Sequence, residues 1–368
     1  MKTITRSAFA GIAAVSAGLL LAGCGTAPEE STAGGGDDGG SNEAASDFLP
    51  CIVSDFGGFD DKSFNQLSLE GVEQAADELG VKAKEVESNA ETDYAPNLEN
   101  LVAQGCNAIV SVGFALAPAT IENANANPDI DFILIDDAAD ADFDGETDAP
   151  TIKPLLYDTA QAAFLAGYLS AGYSETGKVG TFGGQEFPTV TIFMDGFKQG
   201  VDYYNEEKGA DVSVIGWDGD TGTFTGGFEA GPEAKNAAQN IIDQGVDVLL
   251  PVGGPIYQSA LQAIKESDSE IALIGADADL YESDPSTAEY VLTSIMKNMH
   301  LSTYQAVMDS ANGAFDPTPY IGTLENEGVA IADLHDFSDK VDADLLAEVD
   351  ALKESIIAGD VTVESYLG

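Results

Sequence analysis

The sequence predicts an α/β protein built as two doubly wound, parallel-sheet lobes. From residue 47 onward, short apolar runs of strand length alternate with amphipathic stretches of helical length. That alternation makes parallel sheets with helices on both faces. It restarts near residue 159. About 320 residues follow residue 46, more than one hydrophobic core normally supports, so two lobes are expected.

In the first run, PCIVS at 50–54 reads as a short buried strand. Residues 63–79 set Leu69, Val72, Ala76 and Leu79 on one helical face, and Gly80 ends the helix. A strand over 81–86 follows, then a helix marked by Leu98, Leu101 and Val102 that stops at Gly105. The strand AIVSV at 108–112, a helix over 120–126 and the strand FILI at 132–135 complete the run. The second run repeats the scheme with helix 159–171, strand 178–182, helix 190–204, strand 212–217, helix 233–244 and strand 246–252. Helix 256–266 and strand 271–275 close it.

In open α/β sheets, ligands bind beyond the carboxyl ends of the strands. After the first strand comes DFGGFDDKSFNQ at 55–66. Its glycines allow a tight turn, Ser63 can cap the helix, and Phe64 and Asn65 project from the first turn. Later strand ends carry Gly113-Phe114, Asp136-Asp137, Gly183-Gly184-Gln185, Gly253-Gly254-Pro255 and Gly275-Ala276-Asp277. Each alone serves a turn; their recurrence in both runs points to a cleft between the lobes.

Charge narrows the function. Against 64 acidic residues stand 14 basic ones, a net charge of −50. Binding to nucleic acid or to an anionic membrane surface needs the opposite sign, and the same field repels phosphorylated ligands. A neutral or zwitterionic small molecule fits. The acidity itself reads as solubility in a salty medium that screens self-repulsion.

Catalytic signatures are lacking in the sequence. It has no G-x-S-x-G or H-E-x-x-H, and its two histidines are His300 and His335. The G-x-x-x-x-G-K at 172–178 is followed by Val179 where a phosphate loop needs Ser or Thr, and it runs from helix into strand. No ligand spacing suggests zinc. The expectation is a binding protein without cofactor or metal, and not an enzyme.

Lys2 and Arg6 precede an apolar stretch at 8–22 that ends in LAGC at 21–24. The stretch is short for a membrane span and ends in small residues, as a signal peptide does. Cysteine after Leu-Ala-Gly resembles a bacterial lipobox. Residues 1–23 are therefore read as a lipoprotein signal peptide and Cys24 as the lipidated residue, anchoring the protein on the extracytoplasmic face of the cell membrane. Residues 25–46 have almost no bulky apolar side chains, so with Cys24 they form a disordered tether spanning roughly 25 Å. Cys51 and Cys106 both precede apolar strands. They can meet at one sheet edge as a disulfide, or remain two buried thiols.

The run SDFGGFDDKSFNQ at 54–66 resembles the DxGxxDDKSFNQ signature of the basic membrane protein lipoproteins, the purine-nucleoside receptor branch of ABC-transporter binding proteins. The resemblance continues through LIDD at 134–137, AFLAGYLSA at 163–171, GGQEFPTVTIFMDGFKQG at 183–200 and GTFTGGFEAGPEAK at 222–235. VGGP at 252–255, IGADAD at 274–279 and VLTSIMK at 291–297 extend it over essentially all of the chain after the tether. It implies the type I periplasmic-binding-protein fold, with three crossing segments between the lobes. The N-terminal lobe is then 47–157 plus 289–318 and the C-terminal lobe 158–288 plus 319–368, with two crossings among a strand at 290–296, a helix at 298–311 and a strand at 320–324.

The resemblance also assigns roles. Phe64 and Phe224 would sandwich a nucleobase from opposite lobes. Asp55, Asn65 and Asp136 would face the base edge, and Asp277 and Lys297 would hold the ribose hydroxyls. Gly253 and Gly254 would let the backbone approach the sugar. Two features depart from the family's pattern: Phe56 stands where a small residue is usual, and GGFEAGPEAK lengthens the link after Phe224. The implied partners are a nucleoside, purine by preference, and an ABC-transporter permease, the receptor acting as a monomer. A sugar or signalling-molecule receptor of the same fold is the alternative reading, and a nucleoside hydrolase the distant one.

Overall fold

The computed structural model describes residues 47–142 and 144–367. The signal peptide, Cys24 and the tether lie outside the described residues.

The first run comprises β1 (Pro50–Val53), α1 (Phe64–Leu79), β2 (Lys84–Val86), α2 (Tyr94–Ala103), β3 (Ala108–Val112), α3 (Ala117–Ala126), β4 (Asp131–Ile135) and β5 (Ile152–Tyr157). The second comprises α4 (Thr159–Tyr173), β6 (Lys178–Gly183), α5 (Pro188–Lys208), β7 (Ser213–Ile215), α6 (Pro232–Ile242), β8 (Val248–Val252), α7 (Ile256–Glu266) and β9 (Ala272–Asp277). There follow α8 (Leu280–Ser283), β10 (Val291–Lys297), α9 (Met299–Ala311), β11 (Tyr320–Gly322), β12 (Val329–Ile331) and α10 (Ala343–Ile357).

Two six-stranded sheets result, ordered β11-β5-β4-β3-β1-β2 and β12-β10-β9-β8-β6-β7. The first is parallel throughout, and the second is parallel except for β12, which runs antiparallel to β10. The central strands β1, β3 and β8 are buried along their whole length, as strands covered by helices on both faces must be.

The chain passes between the sheets three times, from β5 to α4, from β10 to α9 and from β11 to β12. The lobe boundaries read from sequence need correction at the last two. β10 was expected in the N-terminal lobe but pairs with β9 in the second sheet, while α9 packs on α1 of the first lobe. β11 was expected in the C-terminal lobe but pairs with β5 in the first sheet. Each crossing therefore falls after a strand rather than before it, because the strand completes its own sheet before the chain leaves.

Strand β5 was not anticipated. Its run IKPLLY carries Pro154, which reads against a strand interior. Tyr320 lies opposite Leu155, so Pro154 stands one residue before the pairing with β11 begins. Helix α4 is buried along almost all its length and crosses α5 at close range. A Cβ at Gly167, Gly196 or Gly200 would strike the facing helix backbone at Phe197, Ala160 or Phe164. Cys51 in β1 and Cys106 just before the adjacent β3 are joined as a disulfide, with Cα atoms 6.0 Å apart.

Candidate ligand-binding cleft

The carboxyl ends of both sheets converge on one cavity between the lobes. It is lined by Asp55, Phe64, Asn65, Asp136, Gly253, Gly254, Asp277 and Lys297 of the expected set. Asp61, Phe114, Phe193 and Phe228 join them. The cavity is narrow, about 60 Å³.

At its charged end stand Asp136, one residue past β4, Asp277, the last residue of β9, and Lys297, the last residue of β10. All three are at most 6 % exposed. The Lys297 ammonium bonds Asp136 at 2.5 Å and lies 3.5 Å from Asp277 Oδ1. Asp136 and Asp277 hold the same left-handed backbone in the two lobes, with φ of 63° and 68°. Non-glycine residues adopt it at a cost that cluster sites sustain where the side chain must be aimed. Burial raises both carboxyl pKa values, Asp277's to about 6, with Lys297 holding each partly down. Burial works against the ammonium, but the two carboxylates outweigh it and raise its pKa. The aromatic faces of Phe193, Phe64 and Tyr157 lie 5.0, 5.4 and 5.8 Å from the same ammonium, within cation–π range.

The opposite end belongs to the turn after β1. The Asn65 amide donates to Asp55 Oδ1 at 2.9 Å and, at 3.3 Å, to Asp61 Oδ2 and the Phe56 carbonyl. Asp61 accepts the backbone N–H of Ser63, Asn65 and Gln66, so it caps α1 in place of Ser63. Ser63 is turned away to bond the Ala276 carbonyl of the other lobe at 3.2 Å. Burial raises the Asp55 carboxyl to about 8, eased by Asn65 and reinforced by Asp61, Asp136 and Asp277. Gly113, at φ 102°, leaves it room, since a Cβ there would collide with the carboxylate. Of the acceptors in this cleft, Asn65 Oδ1 has no hydrogen-bond donor, and Asp277 Oδ1 has only the Lys297 ammonium 3.5 Å away.

Phe224 is not in the cleft. Its backbone pairs with Gly183, and its ring packs on Trp217, centroids 6.0 Å apart. Four residues later, past the turn at Gly226, Phe228 reaches the cavity instead. It lies on Gly184 and Gly253, where an added Cβ would stand 2.4 and 2.6 Å from its ring. The glycine bed thus serves Phe228, while Gly253 and Gly254 also line the cavity. The sequence signal was present, since both phenylalanines share one glycine-rich segment, but only the pairing of Phe224 with Gly183 decides between them. Phe193 was missed because it falls inside an ordinary helical pattern.

Among the described residues, Asp140, Asp142 and Asp148 bring carboxylate oxygens within 4.8 Å of one another. They lie in an exposed loop where Asp140 and Asp148 accept backbone N–H groups of that same loop, which accounts for their placement as turn closure.

The profile of the ABC transporter substrate-binding protein PnrA-like family matches residues 50–364. The chain is 26 % identical over 371 residues to a CD4+ T-cell-stimulating antigen of Listeria innocua, covering 95 % of each chain. It is 26 % identical over 364 residues to an ABC transporter nucleoside-binding protein of Lactococcus lactis, covering 94 % of this chain and 95 % of that one. A solute-binding protein of an ABC transporter system from Aeropyrum pernix superposes with a TM-score of 0.77 at 24 % identity, over 87 % of this chain and 94 % of that one.

Proposed function

The chain belongs to the family of PnrA-like ABC transporter substrate-binding proteins, and on that premise we propose that it captures a nucleoside, a purine one by preference, for import by an ABC-transporter permease. In this reading it works outside the cytoplasmic membrane as a monomer, lipid-anchored at Cys24, and returns its ligand unchanged. The observation that carries the reading is the pair of buried acceptors, Asn65 Oδ1 without a donor and Asp277 Oδ1 met only by the Lys297 ammonium at 3.5 Å, set among Phe64, Phe193 and Phe228. A buried acceptor without a donor is costly. A flat ring with N–H groups on its edge and a sugar with adjacent hydroxyls would satisfy both.

Phe64 from the first lobe and Phe228 from the second then hold the base, with about 1–3 kcal/mol per stacked ring. Asp277 accepts from ribose hydroxyls beside the Lys297 ammonium. The present cavity of about 60 Å³ is far below the ~300–1,000 Å³ of ordinary ligand sites, so loading requires the lobes to part and reclose on the ligand. Net charge and the buried carboxylates disfavour nucleotides.

Calorimetry with ribo- and deoxyribonucleosides on wild type and Asp277→Asn tests the reading. Wild type should favour the ribose form by tenfold or more, and the variant should lose most of that preference. Failure of any nucleoside to bind wild type overturns the reading in favour of a sugar receptor.

A further inference from the structure

Beside the cleft lies a second, larger cavity of about 670 Å³. The two spaces share Phe114, Asp136 and Thr189 as walls. Both lobes build it: Ala117, Ile121 and Leu156 come from the first, Phe187 and Pro188 from the second. The rings of Phe114 and Phe187 meet across the lobe boundary, centroids 4.2 Å apart. The C-terminal segment closes one side with Tyr366 and Leu367, held in place where Gln199 bonds Glu364 through both its backbone N–H and carbonyl. Apolar surface dominates the walls, and the charged groups are carboxylates, Asp136, Asp137 and Asp140, beside the hydroxyls of Thr189 and Tyr366.

We propose that this annex is a subsite for an uncharged apolar substituent on the sugar of the ligand, so that the protein takes 5′-alkylated or 5′-alkylthio nucleosides in preference to the parent compounds. The inference rests on the nucleoside reading and deepens it. With the base between Phe64 and Phe228, and the vicinal hydroxyls at Asp277 and Lys297, the 5′ carbon is the part of the ligand left to point past Asp136. Asp136 is the one charged residue common to both spaces. The annex has the volume of a ligand site in its own right, and burying apolar carbons there gains the transfer free energy of each. The carboxylates on its walls exclude phosphate and other anionic extensions.

Titration calorimetry on the full chain with adenosine and 5′-butylthio-5′-deoxyadenosine tests the proposal. The butylthio compound should bind about tenfold more tightly. Ala138 is exposed on the annex wall, so Ala138→Trp should fill the space without disturbing the cleft. It should abolish the gain while leaving adenosine within about twofold of wild type. Equal or weaker binding of the butylthio compound to wild type overturns the annex and leaves the nucleoside reading intact. So does a gain that persists in Ala138→Trp. If neither compound binds wild type, both readings fall together.

Discussion

The two lobes meet the ligand with different equipment. Strand ends of the first sheet deliver Asp55, Asp136 and the capping Asp61, three carboxyl groups without a cation among them. The second sheet delivers glycines after β6 and β8, the Phe228 ring that lies on them, and the Lys297 ammonium with Asp277 beside it. The Asp136 carboxylate is therefore balanced only when the second lobe closes over it. Closure is electrostatic as well as apolar, with Lys297 to Asp136 and Ser63 to Ala276 among the bonds that cross the boundary.

The largest expected effect comes from removing that cation. Lys297→Met leaves two buried carboxylates uncompensated, and breaking a buried pair typically costs about 3–5 kcal/mol. The melting temperature should drop at pH 8 and recover toward pH 5, where the carboxylates can bind protons. Small-angle scattering should show a larger radius of gyration for the variant. An unchanged melting temperature at pH 8 would mean that closure does not depend on this pair.

A second difference between the lobes is covalent. The Cys51–Cys106 bridge spans 55 residues of the first lobe, and closing such a loop stabilises by about 4 kcal/mol in the chain-entropy model. Among the described residues the second lobe has no counterpart. Mild reduction should then lower hydrogen-exchange protection in β1 and β3 ahead of β6 and β8; equal loss in both sheets would show that the lobes unfold as one unit.

The aromatic difference is smaller and sharper. Phe228→Ala should weaken nucleoside binding by about 1–3 kcal/mol, or 5- to 150-fold. Phe224→Ala should lower stability and leave affinity nearly unchanged, because its ring packs on Trp217. The reverse result in calorimetry would restore the residue chosen from sequence.

How far the sequence could be read follows the same division. Alternating strand and helix patterns located β1, β3, β4, β6, β8 and β9 together with most of their helices, since each has a continuous apolar run and a clear stop. It failed at β5, where Pro154 interrupts the run, and at β12, whose three residues are too few to show a period. Asp136 and Asp277 were legible because a strand end places them regardless of tertiary detail. Phe228 was not, because a loop position depends on the pairing of Phe224 with Gly183, which no local pattern encodes. The C-terminal cover of the annex was likewise hidden, for it depends on the Gln199 contact between segments 165 residues apart.

Smallest over any single pH unit is the effect of one titration, and it isolates the first lobe. The Asp55 carboxyl is raised to about 8 in the fold, mainly by burial, from an ordinary value of 3.8. Between those values the folded protein keeps a proton that the unfolded chain has lost. Its contribution to stability is thus complete below pH 3.8 and is lost as pH rises through about 8. The slope from this one group is at most about 1.4 kcal/mol per pH unit, and less in practice because Asp55 keeps part of its surface on the cleft. Asp55→Asn removes the titration while keeping the shape, so wild type minus variant stability should decline across pH 4 to 8 and level off above. Acid-shifted destabilisation, with wild type gaining on the variant as pH rises, would show instead that Asn65 holds Asp55 ionised, and that the first lobe presents an anion to the cleft rather than a neutral acid.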